Sequence, residues 1–176
     1  MPTSNDEQAR NDQAPEDAGL VREHHHATAE HLLRQYVLGG MAIGFIPIPV
    51  VDLAALLGLQ LKMLHSLAGV YDIEFKADLG RSAIASLLGS AVPTSLSPTV
   101  AASLGKLIPG IGQTLSSGSA AILNGASTYA VGKVFIQHFA AGGTFLTFDP
   151  EAVRDFFLTQ LREGKKASAD LRKDKH

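Results

Sequence analysis

Cysteine is absent from this chain of 176 residues. Its absence excludes a disulfide scaffold, thiol catalysis and metal sites made of thiolates. It is compatible with a cytosolic setting. The length is sufficient for one domain with a substantial core.

Charge is nearly missing from two long stretches. Between Ser82 and Gly132 the one charged residue is Lys106, and between Gln35 and Leu61 it is Asp52. Charged residues ordinarily make up about a quarter of a soluble protein. We therefore expect these stretches to face something other than bulk water: each other, a second copy of the chain, or lipid.

A strongly basic stripe is also missing, and the formal net charge is −2. Nucleic acid is therefore not an expected partner. The bases among residues 165–176 could contact anionic lipid, although Asp170 and Asp174 dilute them. No apolar segment precedes Ala27, which argues against a cleaved secretory signal.

Sustained alternation of apolar and polar residues, which is typical of strands, does not occur. Apolar residues instead recur at helical spacing, so the sequence predicts an all-α fold: a five- to six-helix bundle built from helical hairpins with proline corners. We expect a disordered acidic tail over residues 1–20, a single helical domain over 21–164 and a polar frayed tail over 165–176.

The first proline corner separates two predicted helices. Pro47 and Pro49 cannot both lie inside a helix, so one helix is expected over about 20–41. Pro49 suits the first position of the next helix, which should run to about Tyr71. A third helix is predicted over residues 76–92.

The second corner consists of Pro109, Gly110 and Gly112. A short fourth helix over residues 97–108 is expected before it, and a long helix ending near Ala140 after it. Gly142 and Gly143 should stop that long helix. An acidic cap at Asp149 predicts a last, amphipathic helix.

Asp52 is a lone carboxylate three residues after Pro49. In the first turn of a helix it would lie near unpaired backbone N–H groups and the positive end of the helix dipole. We favour that structural role. The alternative is a functional ion pair with Lys106, Lys133 or a ligand cation, because a buried charge needs a partner.

Small residues recur along the long helix at spacings of three and four. They are Ser117, Ala121, Gly125, Thr128 and Gly132. Such a ladder lets helix backbones approach closely, either in a membrane or in a soluble helical core. The proline-interrupted arms of residues 35–61 are roughly 20 Å long and too short to cross a bilayer alone. Membrane association and a soluble bundle therefore both stay open.

A catalytic set or a cofactor site is not evident. His24–His26 and His31 form the most obvious polar cluster, but consecutive histidines point around a helix and would hold zinc or nickel only weakly. Gly125–Lys133 and Gly105–Leu107 depart from a phosphate-binding loop because no hydroxyl residue follows the lysine. We expect no enzyme activity, no metal and no cofactor.

Two motifs surround the proline corners. The first is Gly44-Phe45-Ile46-Pro47-Ile48-Pro49 with Asp52, and the second is Ile108-Pro109-Gly110-Ile111-Gly112 followed by Thr128-Tyr129-Ala130 and Gly132-Lys133. Together they resemble the domain of unknown function 697 family. That family comprises bacterial membrane-associated proteins and domains fused behind small GTPases, without established catalytic residues. The resemblance implies membrane association. Since this chain has no GTPase domain, a GTPase, if one is involved, must be supplied in trans.

The function expected from the residues and the resemblance together is a non-enzymatic helical module at the cytoplasmic face of a membrane. It would form a homo-oligomer or serve a GTPase partner, with Asp52, the two corners and the small-residue ladder shaping its contacts. The alternative is a soluble, cytoplasmic, oligomeric protein of a ligand-binding or shell-like kind. Its uncharged helices would be buried between subunits.

Overall fold

Five helices account for most of the chain that the structure, a computed structural model, describes. It describes the backbone of residues 4–45, 49–91 and 117–173, and the side chains of 18–45, 54–91 and 120–173. The helices are α1 (Ser4–Ile43), α2 (Pro49–Val70), α3 (Ala77–Ser90), α4 (Ser117–Ala140) and α5 (Arg154–Lys173). None of these described residues forms a strand. The predicted all-α fold is confirmed.

Helix α4 lies at the centre of the bundle because it contacts each of the other four described helices. Long apolar side chains from the surrounding helices are buried in one core cluster with residues of α4; among them are Leu33, Met63, Leu67, Leu87 and Phe157. At its C-terminal half, the Phe135 ring stacks on Phe148 with 4.6 Å between centroids. Burial of these side chains provides most of the favourable free energy of folding.

Three predicted boundaries agree closely with the structure. Helix α2 begins at Pro49 and ends at Val70, α3 lies within residues 76–92, and α4 ends at Ala140. The predicted helix over 97–108 and the second proline corner lie outside the described residues. The strand-like residues 145–148 form a turn and a bend, from which Phe145 enters the core.

The N-terminal and C-terminal segments of the chain are both more helical than the sequence predicts. Helix α1 begins at Ser4, so the segment expected to be disordered is helical from that residue on, and α5 continues through Lys173 rather than fraying after Gly164. Glutamate, glutamine and alanine favour helix, and a packed helix propagates from its anchored part. Gly164 and Ser168 are buried against α4, a contact that polar composition conceals.

Helices α2 and α4 end with the same backbone motif. After α4, Gly142 has φ 83°, its N–H donates to the Phe139 carbonyl, and the Gly143 N–H donates to the His138 carbonyl. After α2, Asp72 occupies the equivalent left-handed position with φ 54°. The next N–H, of Ile73, donates to the Ala68 carbonyl at 2.8 Å. These bonds satisfy carbonyls that the helix leaves unpaired.

Replacing Asp72 by glycine should stabilise the protein, because a left-handed conformation strains any residue with a Cβ atom. The expected gain in the free energy of unfolding is about 1 kcal/mol, measured by urea denaturation. The matched variant Gly142→Ala should lose a similar amount of unfolding free energy. No atom lies within 4 Å of the added Cβ, so no new contact would offset the backbone strain. Equal stability of all three proteins would contradict the assignment of these helix ends.

Candidate interaction surface

One end of the bundle carries no charge on three of its helices. We call it the uncharged end and define it as residues 35–45, which are the last part of α1 and the turn after it, 54–61 of α2 and 120–132 of α4. These segments meet because α1 leads through a short connection into α2, and because the end of α1 packs on the start of α4. These described parts of the two charge-poor stretches therefore lie together.

The exposed residues of the uncharged end are almost all apolar or glycine. They are Gln35, Leu38, Ala42, Phe45, Ala54, Gly58 and Leu123, of which Gln35 alone is polar. The side chains of Phe45 and Leu123 are 53% and 41% exposed. Exposed apolar side chains gathered at one end of a bundle are typical of a site of contact with protein or membrane.

The small-residue ladder of α4 faces α1 of the same chain. A Cβ atom added to Gly125 would lie 2.5 Å from Met41 Cγ, and one added to Gly132 would collide with Leu33. Ala121 and Thr128 are fully buried. The described part of the ladder therefore packs helices within the protein.

The chain approaches α4 closely at two glycines, Gly40 in α1 and Gly44 in the turn after it. A Cβ atom at Gly44 would lie 2.5 Å from the Ala121 nitrogen, and one at Gly40 would lie 2.7 Å from Thr128 Oγ1. At Gly44 the obstacle is backbone, which cannot rotate away. Contact this close requires glycine on one helix and a small residue on the other.

Several predicted site residues cannot be placed as side chains. Pro47 and the second corner (Pro109, Gly110, Gly112) lie outside the described residues. Pro49, Asp52 and Ser117 are described as backbone. Pro49 and Asp52 lie in the first turn of α2, and Ser117 is the first residue of α4. Asp52 is thus positioned at a helix N-terminus, where the sequence predicted it.

Lys133, one of the partners considered for Asp52, pairs with Glu30. Its Nζ donates to Glu30 Oε1 at 2.7 Å, joining α4 to α1, and lies 5.6 Å from the centre of the Tyr129 ring. Both side chains of the ion pair are about three-quarters buried. Because neither Glu30 nor this pairing has a local sequence signal, sequence reasoning missed it.

Tyr71 lies beside this ion pair at the end of α2. Its hydroxyl is buried and has no hydrogen-bond partner among the described residues, and its ring lies edge-on to His25. Burial, together with the negative charge of Glu30, raises the pKa of Tyr71 above its ordinary value. The hydroxyl therefore stays protonated at neutral pH and well into the alkaline range.

A buried polar contact joins α2 to α4 inside the uncharged end. The Gln60 side chain is fully buried, and its Nε2 donates to Ser127 Oγ at 3.3 Å. Ser127 in turn donates to the Asn124 carbonyl. A buried polar pair of this kind restricts the register in which two helices can pack. In the sequence, the one indication of this contact is that Gln60 lies within an otherwise apolar run.

The histidines do not converge on a metal site. His31 contacts Gln35, and His138 bonds the Thr144 carbonyl at 2.9 Å, while His65 packs its ring on Phe75. Within the described residues no group of three or more His, Asp or Glu could hold a metal ion. Nor is any helix, as far as the structure describes it, long and apolar enough to cross a membrane.

These features define a small all-α module whose helices close on one another through glycine and alanine and leave an uncharged apolar end exposed. The family called Domain of unknown function (DUF697) matches residues 16–166. The chain belongs to this family.

A curated relative is "Magnetosome membrane protein 22" of Magnetospirillum gryphiswaldense. It is 38% identical over 144 residues, which are 82% of this chain and 74% of the relative. No solved structure matches the chain.

Replacing Gly125 or Gly132 by leucine should unfold or loosen the bundle, because the new side chains have no space against α1. We expect each variant to lose about 1–3 kcal/mol of unfolding free energy. The control is Gly58→Leu, at a helical glycine with no atom within 4 Å of an added Cβ. Melting temperature and gel-filtration volume are the measurements. If both ladder variants match the parent protein, the ladder has no packing role.

Replacing Tyr71 by phenylalanine should leave stability near pH 7 unchanged or raise it by up to about 1 kcal/mol, because the variant lacks the unpartnered buried hydroxyl. Tyrosine in an unfolded chain ionises near pH 10. Since the folded-state pKa of Tyr71 is higher, stability from this group is present below pH 10 and is lost above it.

The Tyr71→Phe variant should therefore lose less stability than the parent between about pH 9 and 11. Urea unfolding at several pH values measures this. Tyr36→Phe is the control: its hydroxyl bonds Ser66 Oγ at 2.9 Å, so it should cost about 1 kcal/mol at neutral pH. A similar loss for Tyr71→Phe would contradict the interpretation.

Proposed function

We propose that this chain is a non-enzymatic helical module that associates with a membrane through its uncharged end. The observation that carries the proposal is the exposed composition of that end, where Gln35 is the one polar residue in the exposed set. Phe45 and Leu123 expose large apolar side chains there. Water contact with these groups is unfavourable and is relieved by contact with lipid.

The curated relative supports lipid over a purely soluble role. Its name describes a magnetosome membrane protein, and the similarity extends over most of both chains. A shared apolar surface would account for membrane location in both proteins. On this proposal the module lies at the cytoplasmic face.

The proposal includes a second contact, either with another copy of the chain or with a GTPase supplied in trans. The family resemblance supports the GTPase. For self-association, the described ladder residues are already used within the bundle, so a second copy would have to use exposed residues instead. The soluble alternative would bury the same uncharged end between subunits and needs no lipid.

Cell fractionation tests the proposal. The expressed protein should sediment with membranes, and the double variant Phe45→Ser, Leu123→Ser should shift to the soluble fraction. The matched control is Leu146→Ser, at a residue that is 73% exposed in the loop after α4, at the opposite end of the bundle. Parent protein found in the soluble fraction as an oligomer would overturn the proposal and favour the subunit-buried alternative.

A further inference from the structure

We propose that the end of α5 directs the uncharged end towards anionic lipid headgroups, so that the basic and apolar groups form one docking surface. This inference rests on the proposed membrane association and names the lipid chemistry that it selects. It uses residues 164–173, which the family motifs do not include.

Helix packing places the end of α5 beside the uncharged end. Gly164 packs on Ala126, where an added Cβ would lie 2.9 Å from the Ala126 carbonyl oxygen, and Ser168 lies against Gly125. The two helices are therefore antiparallel, and the last residues of α5 lie alongside the first turns of α4. Those first turns contain Leu123 and contact the end of α1 that carries Phe45.

The charge at this end of the bundle comes mainly from α5. The described segments of the uncharged end have no charged residue, and Asp52 is the one acid at the start of α2. Residues 164–173 contain four bases and one acid: Lys165, Lys166, Arg172 and Lys173, with Asp170. All five of these residues are exposed. The described part of this end is therefore positive.

The bases near the tip of α5 are free to bind another group. Asp170 lies 3.7 Å from Lys173, but both side chains are more than two-thirds exposed, so the pair is weak and exchanges readily with other ions. Leu171 lies between them and is 39% exposed. An exposed apolar side chain followed by arginine and lysine suits the boundary of acyl chains and headgroups, where the apolar group inserts and the bases reach the headgroups.

At the opposite end of the bundle, the charges that the structure describes are mixed. The loop and helix start after α2 mix acids and bases, namely Asp72, Glu74, Lys76, Asp78 and Arg81. Glu74 pairs with Lys76 at 2.7 Å. An anionic surface would therefore attract the α5 end and have little net attraction for the other. The charge distribution thus fixes which end of the molecule meets the membrane.

Vesicle flotation with the purified full chain tests the inference. One set of vesicles contains neutral phosphatidylcholine, and the other adds anionic phosphatidylglycerol. Each lysine or arginine close to an anionic surface strengthens binding about fivefold. The parent protein should therefore bind the anionic vesicles more tightly, and salt at about 0.5 M should remove most of the difference.

The variant Arg172→Glu, Lys173→Glu should lose at least about tenfold in affinity for anionic vesicles. The control, Arg81→Glu with Arg154→Glu, makes the same change in net charge at exposed residues away from the tip of α5 and should bind as the parent does. Helical circular dichroism confirms that both are folded. If a variant fails to fold, the dependence of the parent protein's vesicle binding on lipid charge and on salt still tests the inference.

The outcomes separate this inference from the proposed function. Equal binding of the parent protein to neutral and anionic vesicles would overturn the inference while membrane association stood. Equal loss in the Arg172/Lys173 variant and its control would also overturn it, because net charge rather than α5 would be responsible. If the parent protein bound neither vesicle and stayed soluble in cells, both proposals would fail.

Discussion

The close approach of α1 to α4 is the constraint on which the rest of the structure depends. Gly40 and Gly44 bring the end of α1 against Thr128 and the backbone of Ala121. At these two glycines the chain leaves no room for a side chain, whereas Leu33 and Met41 of α1 fill the space beside glycines of α4. Phe45 and Leu123, in the same segments, lie on the outside.

The contacts that hold the helices together differ between the two ends of the bundle. At one end, helix pairing relies on small residues and on the buried contact between Gln60 and Ser127. Towards the other, the Glu30–Lys133 ion pair joins α1 to α4 and an aromatic cluster around Phe135 fills the core. Charged and aromatic groups thus hold the helices together towards that end. Where the surface is apolar, packing of small residues does so.

The two ends of the bundle therefore differ in the charge that they expose. An uncharged end with a basic margin on α5 and an opposite end of mixed charge define which way the bundle would face a membrane. Because α5 is antiparallel to α4, its basic last turn lies beside the first turns of α4. Function here, as we propose it, depends on which side chains are left exposed after the helices have paired.

Local sequence signals were sufficient for the fold class and for several helix ends. Pro49 and Gly142 act through their own backbone preferences, so they mark boundaries without knowledge of the tertiary structure. The lengths of α1 and α5 were not predictable in this way. Polar composition suggested tails, whereas α5 continues to Lys173 and buries Ser168 against α4.

The sequence by itself determined that the chain is helical, that two stretches avoid charge, and that small residues line one face of α4. These properties depend on residue type and on helical spacing. Only the tertiary structure decided that the ladder faces α1 of the same chain, that Lys133 pairs with Glu30, and that the end of α5 lies beside the uncharged end. Each of those pairings joins residues distant in sequence, and their partners are selected by packing and burial of the whole bundle rather than by any local pattern.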